Sequence, residues 1–291
     1  MDEDNTCIYT SANDDYAIYA AISMLSVRKF CPKISLFLLS SSLSSKTKIF
    51  LDSHDIKYIE KDYSSVFYQT WQYPIECYYI FIGPEIFQGM GYKYSVYMDG
   101  DILCCDNPLK IDNFNIEKKI YGVASGETGQ IFGNDIENIC HRWNMPHSMS
   151  RQRINSGVVY FNNHAMSDAH LLQCAGTLFD ESVKSGIPRK GDDSLLALFC
   201  VLLIDDQDLG YLPNIFNYIP DRNHFKCPSH AIVFFHFCGR GVYKPWRRLS
   251  LGMYLLSIFI TDLRRLDIFR QMWRFEAKEL LSAAEYRKII E

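Results

Sequence analysis

What the chain has little of narrows the field first. The longest late apolar run in its 291 residues, LSLGMYLLSIFIT (249–261), is too short to cross a bilayer. The N-terminus, MDEDNT, is acidic and lacks the basic and apolar regions of a secretory leader. Ten cysteines are present, two of them adjacent (Cys104 and Cys105), but there is no CxxC pair and no regular framework. That pattern predicts reduced thiols in a cytosolic compartment and argues against a disulfide scaffold or a zinc site. A formal charge of -4 makes no general case for nucleic acid as partner. No internal repeat and no low-complexity linker divides the chain, so a single main domain with appendages is expected.

What is present is a folded composition, 48% hydrophobic and 22% charged. Aromatic residues make up 14%, and carbohydrate-handling surfaces are one of several places where such rings are used. The first hundred residues alternate in period. TCIYTSA (6–12), ISLFLLSS (34–41), IKYIE (56–60) and YSVYM (94–98) read as strands. DDYAIYAAISMLSVRKF (14–30) and the segment 44–54 read as helices between them. Strand and helix in alternation predict βαβ units and a mostly parallel sheet covered on both faces. Further on, 119–125, 154–163 and 231–237 read as strands and 192–203 as a helix opened by acidic residues. After Trp246 the chain turns basic and aromatic, with Arg247, Arg248, Arg264, Arg265, Arg270 and Arg274 among Tyr254, Phe259, Phe269, Trp273 and Phe275. This tail suits an anionic membrane surface, a helix pair packed on the domain, or an oligomer contact.

Two stretches carry chemistry. SVYMDGDILCCDNPL (95–109) ends an apolar strand on Asp99, Gly100 and Asp101. Ligands of open α/β sheets bind beyond the carboxyl ends of the strands, and hard divalent cations take one or two carboxylates plus substrate phosphates. The pair therefore reads as a cation site, as one metal ligand beside one ribose contact, or as an ordinary D-G turn. HFCGRGVYKPW places His236 at a strand end and Gly239, Lys244, Pro245 and Trp246 in the loop after it. Lys suits a phosphate as a point charge; the plainer readings are a core histidine and a surface loop.

With these, the order of YTSANDDYAIYAAIS, YMDGDILCCDNPL, INSGVVYFNN, GDDSLLALF, LPNIFNY and HFCGRGVYKPW resembles glycosyltransferase family 8 from about Thr6 to Trp246. The resemblance implies an α/β GT-A fold, Rossmann-like, with a mostly parallel mixed sheet and helices on both faces. It assigns 1–246 to the catalytic domain and 247–291 to a small basic helical tail, similar to the membrane-associating ends of bacterial members. It implies a retaining transfer of a hexose, galactose or glucose, from a UDP-sugar to a hydroxyl of a cell-surface glycan or glycolipid. The same resemblance implies Mn²⁺ or Mg²⁺ as cofactor, and the expected location is the cytoplasm, or peripherally the cytoplasmic face of the inner membrane.

By position, the resemblance gives Thr10, Ser11, Ala12, Asn13 and Tyr16 to the uracil and ribose. It gives Asp99, Asp101 and His236 to the metal, with Gly100 between the aspartates, and Gly239 and Lys244 to the diphosphate. Asn155, Ser156 and Gly157 line the donor sugar, and Gly191, Asp192 and Asp193 match the stretch near the reacting carbon. Asp192, Asp193 and Asn155 are thus the catalytic candidates. Asn13 stands where the family usually has Asp, Ile80 where it often has a donor-binding Arg, and Gly191 where it has a first carboxylate. The lysine loop is also two residues longer than the bacterial pattern. Glu127, in SGETG, is a candidate replacement carboxylate. These departures keep open a weakened, nucleotide- or glycan-binding member; a nucleotidyltransferase would also use paired aspartates, but the H-x-x-G…K-P-W loop argues against it.

Overall fold

The computed structural model describes residues 1–69, 73–111, 117–128, 152–168, 171–184, 195–196, 198–200, 204–205, 207–219, 232–238, 244–247 and 261–290. Strands β1 (Thr6–Ser11), β2 (Ser35–Ser40), β3 (Lys57–Glu60) and β4 (Tyr94–Met98) alternate with helices α1 (Asp14–Leu25), α2 (Ser45–Ser53) and α3 (Gly83–Gly89). β5 (Ile102–Cys104), β6 (Ile120–Thr128) and β7 (Gln152–Asn162) follow. After them come α4 (Asn163–Asp168), α5 (Leu171–Lys184), β8 (Leu209–Leu212), β9 (Phe234–His236), α6 (Thr261–Leu280) and α7 (Ala283–Ile290).

The helix starts are written in the sequence. Asn13 caps α1, its side-chain oxygen accepting the Tyr16 N–H at 3.2 Å, and Asp14 and Asp15 fill the first turn. Ser44 caps α2 by accepting the Thr47 N–H. The helix expected over 14–30 changes at Leu25 into a 3-10 turn over Ser26–Lys29. The Ser26 hydroxyl donates to the Ser23 carbonyl, a local bond that competes with regular helix.

Seven strands form one sheet in the order β3-β2-β1-β4-β7-β6-β8. β3, β2, β1 and β4 pair in parallel, β7 is antiparallel to both β4 and β6, and β8 is parallel to β6. Only β7 therefore runs against the rest, which is the mostly parallel α/β sheet expected. Alternate side chains go to opposite faces, as a pleat requires. Ile8, Leu36, Leu38, Val96 and Met98 join the core under α1 and α6. Cys7, Tyr9, Phe37, Leu39 and Tyr97 join the core under the 3-10 segment Ile75–Phe81, α3 and α5. β5 and β9 make a second, two-stranded antiparallel ribbon in which Ile102 pairs with His236.

α6 and α7 lie against the domain. Leu266, Phe269, Trp273 and Ala277 belong to its core, and Phe269 stacks on Phe235 at 3.9 Å between centroids. No helix among the described residues is long and apolar enough to cross a membrane.

Candidate active site

Asp99 follows the last residue of β4, and its N–H donates to the Gly157 carbonyl on β7 at 2.8 Å. Gly100 turns the chain against α1. A Cβ there would lie 3.0 Å from the Ala20 Cβ, and the Gly100 carbonyl accepts from the Ser23 hydroxyl at 2.7 Å. Asp101 then opens β5, and its carbonyl accepts the Phe237 N–H from the end of β9. The ribbon thereby brings residue 236 beside residue 101 although they are far apart in sequence.

His236 Nε2 lies 3.5 Å from Asp99 Oδ2 and 3.5 Å from Asp101 Oδ1. One ligand atom from each of the three residues falls within 4.8 Å of the others, close enough for the three side chains to converge on one cation. The donor set fits a divalent cation: two carboxylates favour a hard ion, and an imidazole moves the preference toward Mn²⁺. Asp101 and His236 are buried and Asp99 half-buried.

Lys244 reaches the same place from its loop, its ammonium donating to Asp101 Oδ2 and lying 6.0 Å over the Trp246 ring. Burial alone would raise the Asp101 carboxyl, but Lys244 and His236 outweigh it and hold the group far below the usual range. Burial raises Asp99, and its neighbour Asp101 adds to this against the pull of His236. Burial would lower Lys244, but Asp101 reverses that and keeps the ammonium charged.

Of the expected nucleotide residues, Ser11 and Tyr16 have contacts that lead toward this centre. Thr10 and Ser11 end β1, and Ala12 leads to Asn13, the cap of α1. Ser11 Oγ lies 3.4 Å from the Tyr97 hydroxyl, which donates to Asp99 Oδ1 at 3.0 Å. Tyr16 is 51% exposed, and its ring lies 6.3 Å from Trp246. The first turn of α1 and Trp246 thus face each other. Asn155, Ser156 and Gly157 lie in β7 beside the aspartates, and the first two are buried. A Cβ on Gly157 would sit 2.3 Å from His236 Cε1, so the ring is seated on a missing side chain. Gly191, Asp192, Asp193, Gly239 and the side chain of Glu127 lie outside the described residues, as do Arg248, Tyr254 and Phe259.

Tyr97 and Asn217 at the site, and the buried Glu76 elsewhere, went unremarked in the sequence. Tyr97 orients Asp99. Glu76 is buried and accepts the Ser41 N–H at 3.2 Å, together with its hydroxyl; its only signal was a carboxylate opening an apolar segment. Asn217 lies in LPNIFNY, and its side-chain oxygen faces His236 Nδ1 at 2.9 Å. Ile80 is fully buried and its carbonyl accepts the Tyr9 hydroxyl at 2.7 Å, which makes it part of the core.

Residues 7–250 match the family described as Glycosyl transferase family 8. Among solved structures, an active-site mutant of LgtC aligns with TM-score 0.69 at 15% identity, over 97% of this chain and 99% of that one. The galactosyltransferase LgtC in complex with donor and acceptor sugar analogs aligns at 0.61 and 16%, over 92% and 99%. The glycosyltransferase GlyE of Streptococcus pneumoniae TIGR4 aligns at 0.59 and 16%, over 98% of this chain and 62% of that one. At these identities the likeness speaks for the fold, which is that of the GT-A glycosyltransferases. No curated protein matches the chain by sequence. A β-strand that leads into two carboxylates, a histidine brought to them by a second ribbon, a lysine from the loop beyond it, and a family match covering 7–250 lead to one assignment: the chain belongs to glycosyl transferase family 8.

Proposed function

We propose that the protein is a retaining, metal-dependent hexosyltransferase that moves galactose or glucose from a UDP-sugar to a hydroxyl of a cell-surface glycan such as lipopolysaccharide core, O-antigen or capsule. The observation that carries this reading is the convergence of Asp99, Asp101, His236 and Lys244 at one point beyond the sheet. Asp99, Asp101 and His236 hold Mn²⁺ or Mg²⁺. Bound there, the cation supplies positive charge against the diphosphate as it leaves the anomeric carbon. Lys244 exchanges Asp101 for phosphate oxygens, and Gly239 lets the loop approach them closely. Thr10, Ser11, Ala12, Asn13 and Tyr16 receive the base and ribose, with the exposed Tyr16 ring as a stacking surface. Asn155, Ser156 and Gly157 line the sugar, and Asp192 and Asp193 orient it for attack on the face the diphosphate leaves.

Thermal-shift titration of UDP-glucose, UDP-galactose and other nucleotide sugars, with Mn²⁺ and with EDTA, tests the donor. A metal-dependent stabilisation of about 2.7 kcal/mol is expected at a ligand concentration 100 times Kd. Equal shifts in Mn²⁺ and EDTA would remove the metal from the reading. A catalytically weakened binding protein is the second reading, favoured by Ile80, whose burial in the core leaves no arm toward a donor. Binding of the nucleotide sugar without transfer or hydrolysis would select it.

The tail from 247 is proposed to touch the cytoplasmic face of the inner membrane. In support, Ile268, Met272 and Phe275 stand exposed at helical spacing on α6. Co-sedimentation with anionic liposomes should fall when all three are changed to Ser; unchanged binding would discard this contact.

A further inference from the structure

The side chains behind His236 form a chain of hydrogen bonds whose direction can be read without seeing a proton. It starts at the Gly157 backbone N–H, which donates to Asn155 Oδ1 at 3.0 Å. A backbone N–H can only donate, so the atom it meets on Asn155 is the amide oxygen. Asn217 approaches that same oxygen at 2.7 Å and must do so with its NH₂ group. The other end of the Asn217 amide is then oxygen, and it lies 2.9 Å from His236 Nδ1. An amide oxygen can only accept, so the proton is on Nδ1. In the neutral ring this leaves Nε2 bare, and Nε2 is the atom facing Asp99 and Asp101.

The surroundings keep the order from reversing. Asn155, Asn217 and His236 are 5%, 1% and 3% exposed, so solvent has little access to the amides that would have to turn over. Asn217 is anchored next to the ribbon, because its neighbour Tyr218 donates its N–H to Phe234 and accepts the His236 N–H. Gly157 serves both arms of the site: its N–H starts the relay and its carbonyl accepts the Asp99 N–H.

We propose that Asn217, directed by Asn155 and the Gly157 N–H, is the positioning residue that locks His236 in the tautomer whose bare Nε2 can bind a cation. The opposite neutral tautomer would place a hydrogen on Nε2, where the ion has to sit. The proposal rests on the reading of Asp99, Asp101 and His236 as metal ligands, and it names what prepares one of them. Outer-shell partners of ligating histidines are worth about 10–100-fold in metal affinity.

Two measurements on the full chain test it. In ¹⁵N-histidine NMR of the metal-free wild type, with the His236 signals identified by their loss in His236→Gln, the neutral ring should carry its proton on Nδ1. Mn²⁺ binding, followed by electron paramagnetic resonance, should weaken about 10–100-fold in Asn217→Leu, which removes the acceptor. Asn217→Asp keeps an acceptor for Nδ1–H and should retain the tautomer with a smaller loss. A proton on Nε2 in the neutral wild-type ring would overturn the proposal without any variant having to fold. So would folded Asn217→Leu protein with wild-type Mn²⁺ affinity and an unchanged tautomer. A wild type with the expected tautomer and no affinity for Mn²⁺ would leave the relay standing and remove the metal reading instead.

Discussion

Asp101 is held ionised by two neighbours, His236 and Lys244. Its Oδ1 faces His236 and its Oδ2 takes the Lys244 ammonium. Asp101→Asn should keep most of the fold while lowering Mn²⁺ affinity by at least the ~10–100-fold of an outer-shell partner. Titration calorimetry checks this, and undiminished affinity would remove Asp101 from the ligand set. Gly157→Ala tests the seat of the ring. The new methyl would meet His236 Cε1 at 2.3 Å, a clash the buried ring cannot leave. A loss of about 1–3 kcal/mol in urea unfolding is expected, as for other overpacked cores, together with weaker Mn²⁺ binding. At this scale the sequence was legible where chemistry needs charge and silent where it needs direction. Asp99, Asp101, His236 and Lys244 stand out as charged groups at strand ends and in a loop. Asn217 and Tyr97 do not, because an amide or a phenol after an apolar run is ordinary until its partner is known.

The elements that matter are those that carry these residues to one place. β4 was legible as YSVYM, since a strand buried on both faces is continuously apolar. β9 was legible within the apolar run 231–237, of which Phe234–His236 pair, whereas β5, of three residues, was not separable from its surroundings by pattern alone. It is their pairing, Ile102 to His236, that builds the site. The tail is the clearest gain from structure. Trp273 on α6 donates its indole N–H to Ser23 Oγ at 3.1 Å, and Ser23 donates onward to the carbonyl of Gly100, between the two aspartates. Arg274 donates to the carbonyls of Pro245 and Arg247, which ties the lysine loop to the same helix. Trp273→Ala should cost about 3–5 kcal/mol in chemical denaturation. Trp273→Phe, which keeps a ring and loses the hydrogen bond, should cost nearer 1 kcal/mol for that bond plus a smaller packing loss. Equal costs would mean that the hydrogen bond, and not the ring, is what matters. Cutting the chain after Trp246 would expose this core and is a poor test of membrane contact; the exposed Ile268, Met272 and Phe275 are the residues to change.

For the molecule as a whole, the alternation of period predicted the mostly parallel sheet, and the register bears it out from β1 to β4. The same burial has a consequence at high pH. Desolvation raises Cys7 and Cys104 well above 9.0 and Tyr9 and Tyr160 well above 10.0. It pushes Cys31 up to about 11 and Tyr79 up to about 12. These groups keep their protons in the fold after the unfolded chain has lost them. The unfolded state then binds fewer protons, and unfolding free energy falls as pH rises. The contribution is complete below the unfolded values of 9.0 and 10.0 and drains away toward 11 and 12. Reversible urea unfolding under reducing conditions should show midpoints that decline steadily from pH 8.5 upward, by an order-of-magnitude estimate of the onset. A flat profile would mean these side chains reach solvent in the native state.

Local pattern by itself determined β1 to β4, helices α1 and α2 with their Asn13 and Ser44 caps, and the two carboxylates at the end of β4. Each depends only on residues within a few positions of one another, through periodicity or a single hydrogen bond. Tertiary structure decided which atom of each group does what: that His236 presents Nε2 to Asp99 and Asp101, that Lys244 takes the far oxygen of Asp101, and that the helix bearing Trp273 braces the turn at Gly100. Those outcomes depend on hydrogen-bond direction and close packing between segments 60 to 250 residues apart, and no local pattern encodes either.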